Sequence, residues 1–118
     1  MEYELKSDER KKLLEDITKF KNDERLLDSL SSIFKALGDP TRLKIIYALS
    51  KRPLCVTDIS ELLEMSQSSI SHQLAILRSQ ELIRVKRIAR KAIYSLDDEH
   101  VLSLFNDGYE HAEHKTRR

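Results

Sequence analysis

The sequence predicts a mainly α-helical chain with one small β-hairpin. Three observations predict it. Apolar residues recur at i+3 and i+4 through most of the stretch from Leu13 to Leu77, and the period shortens toward 2 after Glu81. Two Gly, two Pro, 6% aromatic and 35% charged residues make the composition of a helix-rich globular protein. At 118 residues this is one folded domain with a modest core, small enough that self-association can supply much of its buried surface. No run of 18 apolar residues occurs, and the charged start MEYELKSDERKK has no signal-like apolar region, so membrane and secretory readings fall away. A single Cys55 excludes an internal disulfide and fits a reducing cytoplasm, where the chain is expected to reside.

Residues 1–21 form a helical extension, with Ser7 as cap and Leu13, Leu14, Ile17 and Phe20 along one side of a helix over about 8–20. Asn22 is expected to cap the next helix, which carries Asp23 and Glu24 in its first turn. Leu26, Leu27, Leu30, Ile33, Phe34 and Leu37 form its apolar face, and Gly38 ends it. Asp39 followed by Pro40 is an N-cap and N1 signal for a helix through Leu49, with Leu43, Ile46, Tyr47 and Leu49 inward. After Lys51, Arg52 and Pro53, Leu54 to Val56 are extended. Thr57 is expected to cap a short helix, Asp58 to Glu64, burying Ile59, Leu62 and Leu63.

Ser66 caps a helix over about Gln67 to Gln80 whose inner face is Ile70, Leu74 and Leu77. Its outer face is Ser68, His72, Ala75 and Ser79, flanked by Gln67, Ser69 and Ser71. Short hydroxyls there suit a helix that must approach something closely, and two helices joined by so short a turn are a helix-turn-helix signature. Leu82, Ile83, Val85 and Ile88, then Ala92, Ile93 and Tyr94, read as two strands joined around Ala89 to Lys91. The tip has no Gly, so a longer or irregular turn is expected. The net charge of +1 conceals a segregation. Between Arg78 and Lys91 six basic residues (Arg78, Arg84, Lys86, Arg87, Arg90, Lys91) face one acid, Glu81, whereas Asp97 to Glu113 holds six acids and no Lys or Arg. The first band suits phosphate and the second a cation. A charged, solvated edge hairpin is the plainer account of the basic band.

Three of the four histidines lie in the last helix, Asp97 to His114. At 100° per residue His111 and His114 share a face, and His100 falls within about 20° of His111. Along the axis, however, His100 and His111 are roughly 16 Å apart, while a zinc–nitrogen bond is about 2.0 to 2.1 Å. One helix therefore cannot close one site from both ends. Two copies laid antiparallel across a two-fold axis can, each site taking Asp98 and His100 from one helix and His111 and His114 from the other. Asp98 must then sit in the entry turn, since i and i+2 diverge by about 200° in regular helix. The plainer account is that His111 and His114 complement the helix dipole and His100 is a surface residue.

FKALGDPTRLKII (Phe34 to Ile46), LCVTDIS (Leu54 to Ser60), SQSSISHQLAILR (Ser66 to Arg78) and AIYSLDD (Ala92 to Asp98) together resemble the ArsR/SmtB family of metal-responsive winged-helix repressors. The resemblance covers about residues 25–114. It implies a homodimeric winged helix-turn-helix, placed here over residues 22–114; residues 115–118 read as a basic tail. It also implies a recognition helix in the major groove of operator DNA, a β-wing, and release when an effector binds. The thiolate site of the family's arsenic, cadmium and lead sensors resembles a Cys-Val-Cys run; here Thr57 stands where the second thiol would be. The zinc-sensing pattern D-x-H, ten residues, H-x-x-H is matched in full by Asp98, His100, His111 and His114.

The resulting expectation is a repressor released by Zn(II), with Co(II) able to fill the same site and Ni(II) able to recruit Glu110 or Glu113 as well. Gln67, Ser68, Ser69, Ser71 and His72 are candidates for base or phosphate contact, and Arg84, Lys86, Arg87, Arg90 and Lys91 for phosphate. Coupling is expected through the second ring N–H of His111, held by backbone near Gln80 and Glu81. The rivals are a winged-helix regulator answering a non-metal signal and, further off, a metal-dependent hydrolase. Four protein ligands leave that hydrolase no open position for water.

Overall fold

The computed structural model describes residues 2–117, and the chain divides into two compact units, residues 1–34 and residues 35–118. The first unit holds helix α1, Ser7–Lys21, and the greater part of α2, Glu24–Leu37. The extension expected over residues 1–21 is thus one part of that unit. Lys6, not Ser7, caps α1: its carbonyl accepts from Arg10 N at 2.8 Å and its N–H reaches Glu9 Oε2 at 3.5 Å. Asn22 still closes α1 by donating to Thr18 O at 3.2 Å, so the cap of α2 falls one residue later than expected, on Asp23. Its Oδ1 accepts from Leu26 N at 3.1 Å. No residue of α1 is buried.

In the second unit, Gly38 ends α2 as expected, without left-handed backbone; its N–H closes a tight turn onto Lys35 O at 3.2 Å. Asp39 then caps α3, Pro40–Lys51, by accepting from Arg42 N at 3.0 Å, with Pro40 at the first helical position as its fixed φ favours. The inward face of α3 is Ile45, Ile46 and Leu49; Leu43 and Tyr47, expected inside, are 39% and 42% exposed. Strand β1, Leu54–Cys55, runs directly into α4, Val56–Leu63, so the cap is Cys55 and Thr57 lies within the helix. Ile59 is fully buried, whereas Leu62 is 66% exposed. Helix α5 spans Gln67–Ser79.

Strands β2, Ile83–Ile88, and β3, Lys91–Leu96, form an antiparallel hairpin, and β1 joins its far side, giving the order β1-β3-β2. Leu54 pairs with Tyr94 and Cys55 with Ile93. The connection is a two-residue turn, shorter than expected: Ile88 pairs with Lys91, and Ala89 and Arg90 both take positive φ, 49° and 70°. That is the twist a tight hairpin demands, imposed here on two side-chain-bearing residues. Helix α6, Glu99–Thr116, follows, so the first residues of the expected basic tail are helical; Met1 and Arg118 lie outside the described residues.

The core of this unit is Ile45, Ile46, Ile59, Ile70, Leu74 and Leu77, all essentially inaccessible. At about 1.5–3 kcal/mol for each such side chain, their burial is what fixes α5 against α3 and α4. No helix among the described residues is long and apolar enough to cross a membrane.

Candidate nucleic-acid interface and metal site

The turn before α5 is built from local hydrogen bonds. Glu64 ends α4 in left-handed conformation (φ 55°), Met65 N donates to Ser60 O at 3.0 Å, and the Ser60 hydroxyl donates to Met65 O. Ser66 Oγ then accepts from Ser69 N at 3.1 Å, as expected of the cap. Ile70, Leu74 and Leu77 turn inward as predicted, leaving Gln67, Ser68, Ser71 and His72 exposed and Ser69 half-buried. The helix thus offers a short, polar face without Lys, Arg, Asp or Glu, whose N-terminal end carries the partial positive charge of unpaired N–H groups.

One residue that fixes this helix has no signature in the sequence. Arg42, in the first turn of α3, donates through Nε to Ala36 O at 2.6 Å and through Nη1 to Gln73 Oε1 at 3.0 Å. Gln73 sits between exposed His72 and buried Leu74, so Arg42 holds the middle of α5 at a set position on α3. A planar guanidinium with several donors suits such bridging.

The hairpin register sorts the cations. Arg84 stands opposite Ser95, Lys86 opposite Ile93 and Ile88 opposite Lys91, whereas Arg87 stands opposite Ala92. Since side chains alternate across a strand and cross-strand partners share a face, Arg84, Lys86 and Lys91 lie on one face and Arg87 on the other. Arg84 Nε donates to Ser95 Oγ at 3.4 Å, in keeping with that sorting. Arg87 Nη1 donates to Arg90 O at 3.1 Å, so this side chain also supports the turn. All five cations are exposed.

At the head of α6, Asp98 is the N-cap in extended conformation (φ −154°, ψ 179°), the entry-turn position its pairing with His100 requires. Its Oδ1 accepts from His100 N at 2.9 Å and Val101 N at 3.1 Å, and lies 3.6 Å from His100 Nδ1. The hydrogen bond from Val101 N holds the carboxyl below the usual carboxylate range, with that from His100 N and the charge of the imidazole adding to it. Oδ2 accepts no hydrogen bond among the described residues. The His100 side chain is 97% exposed, and His111 and His114 are exposed near the other end.

The opposite side of α6 is the one that packs. Val101 is buried, and Phe105 and Tyr109 meet Tyr47 of α3 at ring-centroid distances of 6.2 and 5.8 Å, a trio the sequence pattern does not announce. Counting 100° per residue, the stripe of His100, His111 and His114 lies roughly 150° round the helix from that packing face. Leu104, 37% exposed, lies beside the histidines. Within one chain the two ends do not meet: among the described residues no three His, Cys, Asp or Glu side chains converge on one point. Nor does any hydrogen bond among the described residues join His111 to Gln80 or Glu81. Cys55 is buried and donates to Asp58 Oδ2 at 3.3 Å.

Comparison with known proteins agrees with this geometry. Residues 39–85 match the bacterial regulatory proteins of the arsR family. The transcriptional repressor SmtB homolog of Synechocystis is 43% identical over 82 residues, covering 70% of this chain and 62% of that protein's length. The HTH-type transcriptional regulator NmtR of Mycobacterium tuberculosis is 40% identical over 92 residues, 78% of this chain and 77% of that one. The cadmium resistance transcriptional regulatory protein CadC homolog of Staphylococcus aureus is 39% identical over 83 residues, 70% and 69% of the two chains. Among solved structures, the homodimeric winged helix-turn-helix DNA-binding domain of Mb0332 from Mycobacterium bovis superposes with a TM-score of 0.75 at 27% identity, covering 78% of this chain and 85% of that one. Sequence and architecture therefore agree that this chain, a winged helix-turn-helix, belongs to the arsR family of bacterial regulatory proteins.

Proposed function

We propose that the chain is a metal-responsive transcriptional repressor. As a homodimer it holds operator DNA through α5 and the β2–β3 wing, and the operator is released when sites between the subunits are filled by Zn(II) or Co(II). Each site takes Asp98 and His100 from one protomer and His111 and His114 from the partner subunit. The relatives' names attach repression and cadmium resistance to those proteins. For this chain the observation that carries the metal reading is α6 itself, with a carboxylate–imidazole pair at one end, a histidine pair at the other, and both turned away from the face that packs on α3.

The donor set fits the group. Three exposed imidazoles and a carboxylate kept deprotonated by its capping bonds are borderline-hard ligands of the kind Zn(II) accepts in fourfold sites. Because both capping bonds end on Oδ1, Oδ2 can ligate without uncapping the helix. Ni(II), which favours more ligands, has the exposed Glu110 and, once released from its ion pair with Arg117 Nη2 at 3.1 Å, Glu113 as neighbours of the histidines in sequence. On the DNA side, Gln67, Ser68, Ser69, Ser71 and His72 approach the bases and nearby phosphates, while Arg84, Lys86, Arg87, Arg90 and Lys91 neutralise phosphate. Binding is therefore steep in salt. In the filled state His111 donates its second ring N–H to backbone near Gln80 and Glu81, at the end of α5, and so ties the site to the helix that reads DNA.

Fluorescence anisotropy of operator binding, titrated with Zn(II), tests this. A coupling of about 3 kcal/mol lowers affinity more than a hundredfold, and His111→Ala removes most of that loss while leaving metal-free binding intact. Operator affinity indifferent to Zn(II), Co(II) and Ni(II) alike would falsify the sensor reading and leave a regulator of another signal.

A further inference from the structure

We propose that Ile88 is an apolar wedge by which the hairpin tip enters the minor groove beside the bases read by α5 and partly opens a base step there. This rests on the DNA-binding reading above. Ile88 is the last residue of β2, paired with Lys91, and it is 51% exposed. The residues around it are Lys86, Arg87, Arg90 and Lys91, all exposed cations, and only Ala89 and Arg90 lie beyond it. The last rung of the most basic element thus carries a large, half-exposed apolar side chain on the same face as Arg84, Lys86 and Lys91, where a merely solvated wing would carry Lys or Thr.

The surroundings say what would cover it. Five cations draw this tip toward phosphate and not toward an apolar protein surface. The hairpin is joined to α5 through only Gln80 to Leu82 and β2 packs against that helix, so with α5 in the major groove the adjoining minor groove is the one on offer to the wing. A two-residue tip leaves only Ala89 and Arg90 beyond Ile88, and a β-branched side chain is already stiff about χ1, so little freedom is lost on insertion. Apolar wedges flanked by Arg and Lys are how proteins unstack minor-groove steps, and pyrimidine–purine steps such as TA yield at the lowest cost. The wing then contributes sequence preference through deformability, at positions outside those contacted by α5.

The test uses the full-length chain and a duplex recovered by repeated selection from a randomised pool on the wild-type protein. Permanganate, which oxidises unstacked thymine, is expected to mark a flanking TA step with wild type and Ile88→Val, and not with Ile88→Thr. Thr keeps the β-branch and the strand propensity but loses the apolar tip, so the hairpin survives. Ile88→Thr is expected to lose roughly tenfold in affinity with an unchanged salt slope, while Arg90→Ala lowers that slope by roughly one per protomer. Replacing flanking adenines by 2,6-diaminopurine puts an amino group in the minor groove and weakens wild type, not Ile88→Thr. If Ile88→Thr binds like wild type and no thymine becomes reactive, the wedge is wrong while DNA binding stands. If wild type recovers no duplex from the pool, the DNA-binding reading itself falls.

Discussion

Asp98 has two jobs that chemistry can separate. As N-cap it satisfies the N–H groups of His100 and Val101; as a proposed ligand it offers Oδ2 as an anion. Asn caps as well as Asp but is a neutral and far poorer ligand for a hard or borderline cation. Asp98→Asn is therefore expected to leave the thermal midpoint and far-UV circular dichroism unchanged while weakening Zn(II) binding at least on the order of tenfold. Asp98→Ala lowers both. The sign of the pH dependence follows from the depressed carboxyl. Protons bind the unfolded carboxyl more readily than the folded one, so the cap's contribution is complete above the unfolded value of 3.8 and fades as pH falls through the lower folded value. Thermal melts of wild type and Asp98→Asn compared from pH 6 downward check this, the two midpoints coinciding until wild type drops below Asp98→Asn under about pH 4. An equal loss in both proteins would assign the acid sensitivity elsewhere.

At the scale of elements, the turn at Ala89–Arg90 shows how far local rules reach. Alternating apolar residues after Glu81 announce the hairpin, but nothing local says that two residues lacking Gly will accept positive φ. Left-handed backbone costs an ordinary residue about 1–2 kcal/mol, offset here by the paired strands and the Arg87 bond to Arg90 O. Ala89→Asn, a residue that tolerates this conformation, is expected to stabilise the protein by about 0.5–1 kcal/mol in urea unfolding, and with Arg90 kept, DNA affinity should not fall. A destabilised Ala89→Asn would show that the methyl of Ala89 has a packing role. The capping shifts have the same origin as the turn: Asn22 and Thr57 are good caps by type, yet Asn22 is still closing α1 and Thr57 is overtaken by a helix that starts straight from β1. Where one side chain alone settles the geometry, as with Asp39, Ser66 and the inner face of α5, the sequence is sufficient. Apolar spacing also marks which residues seek cover without saying what covers them, which is why Leu43, Tyr47 and Leu62 are more open than their period implies. Arg42 is beyond sequence reading altogether, because its partners Ala36 and Gln73 are set by how α3 meets α5.

For the whole molecule, the decisive question is whether the two ends of α6 cooperate between chains. The histidine spacing poses it, because imidazoles roughly 16 Å apart on one rigid helix cannot share an ion. The fold sharpens it, because the aromatic packing on Tyr47 turns that stripe away from its own core. A two-fold axis then makes a prediction that no single-chain site shares. Take one chain carrying Asp98→Ala and His100→Ala, and a second carrying His111→Ala and His114→Ala. Neither can assemble a site with its own copy, since each homodimer offers only half of every ligand set. In the mixed dimer one site regains all four ligands and the other has none. Differently tagged chains, co-expressed and purified through both tags, are therefore expected to bind about one Zn(II) per dimer with wild-type affinity, against about two for wild type and none at that affinity for either parent. Sites confined to one chain would leave the mixture as inactive as its parents, because mixing restores no ligand within a chain. Partial release of operator by the singly filled dimer would show, in addition, that one site suffices to move both halves.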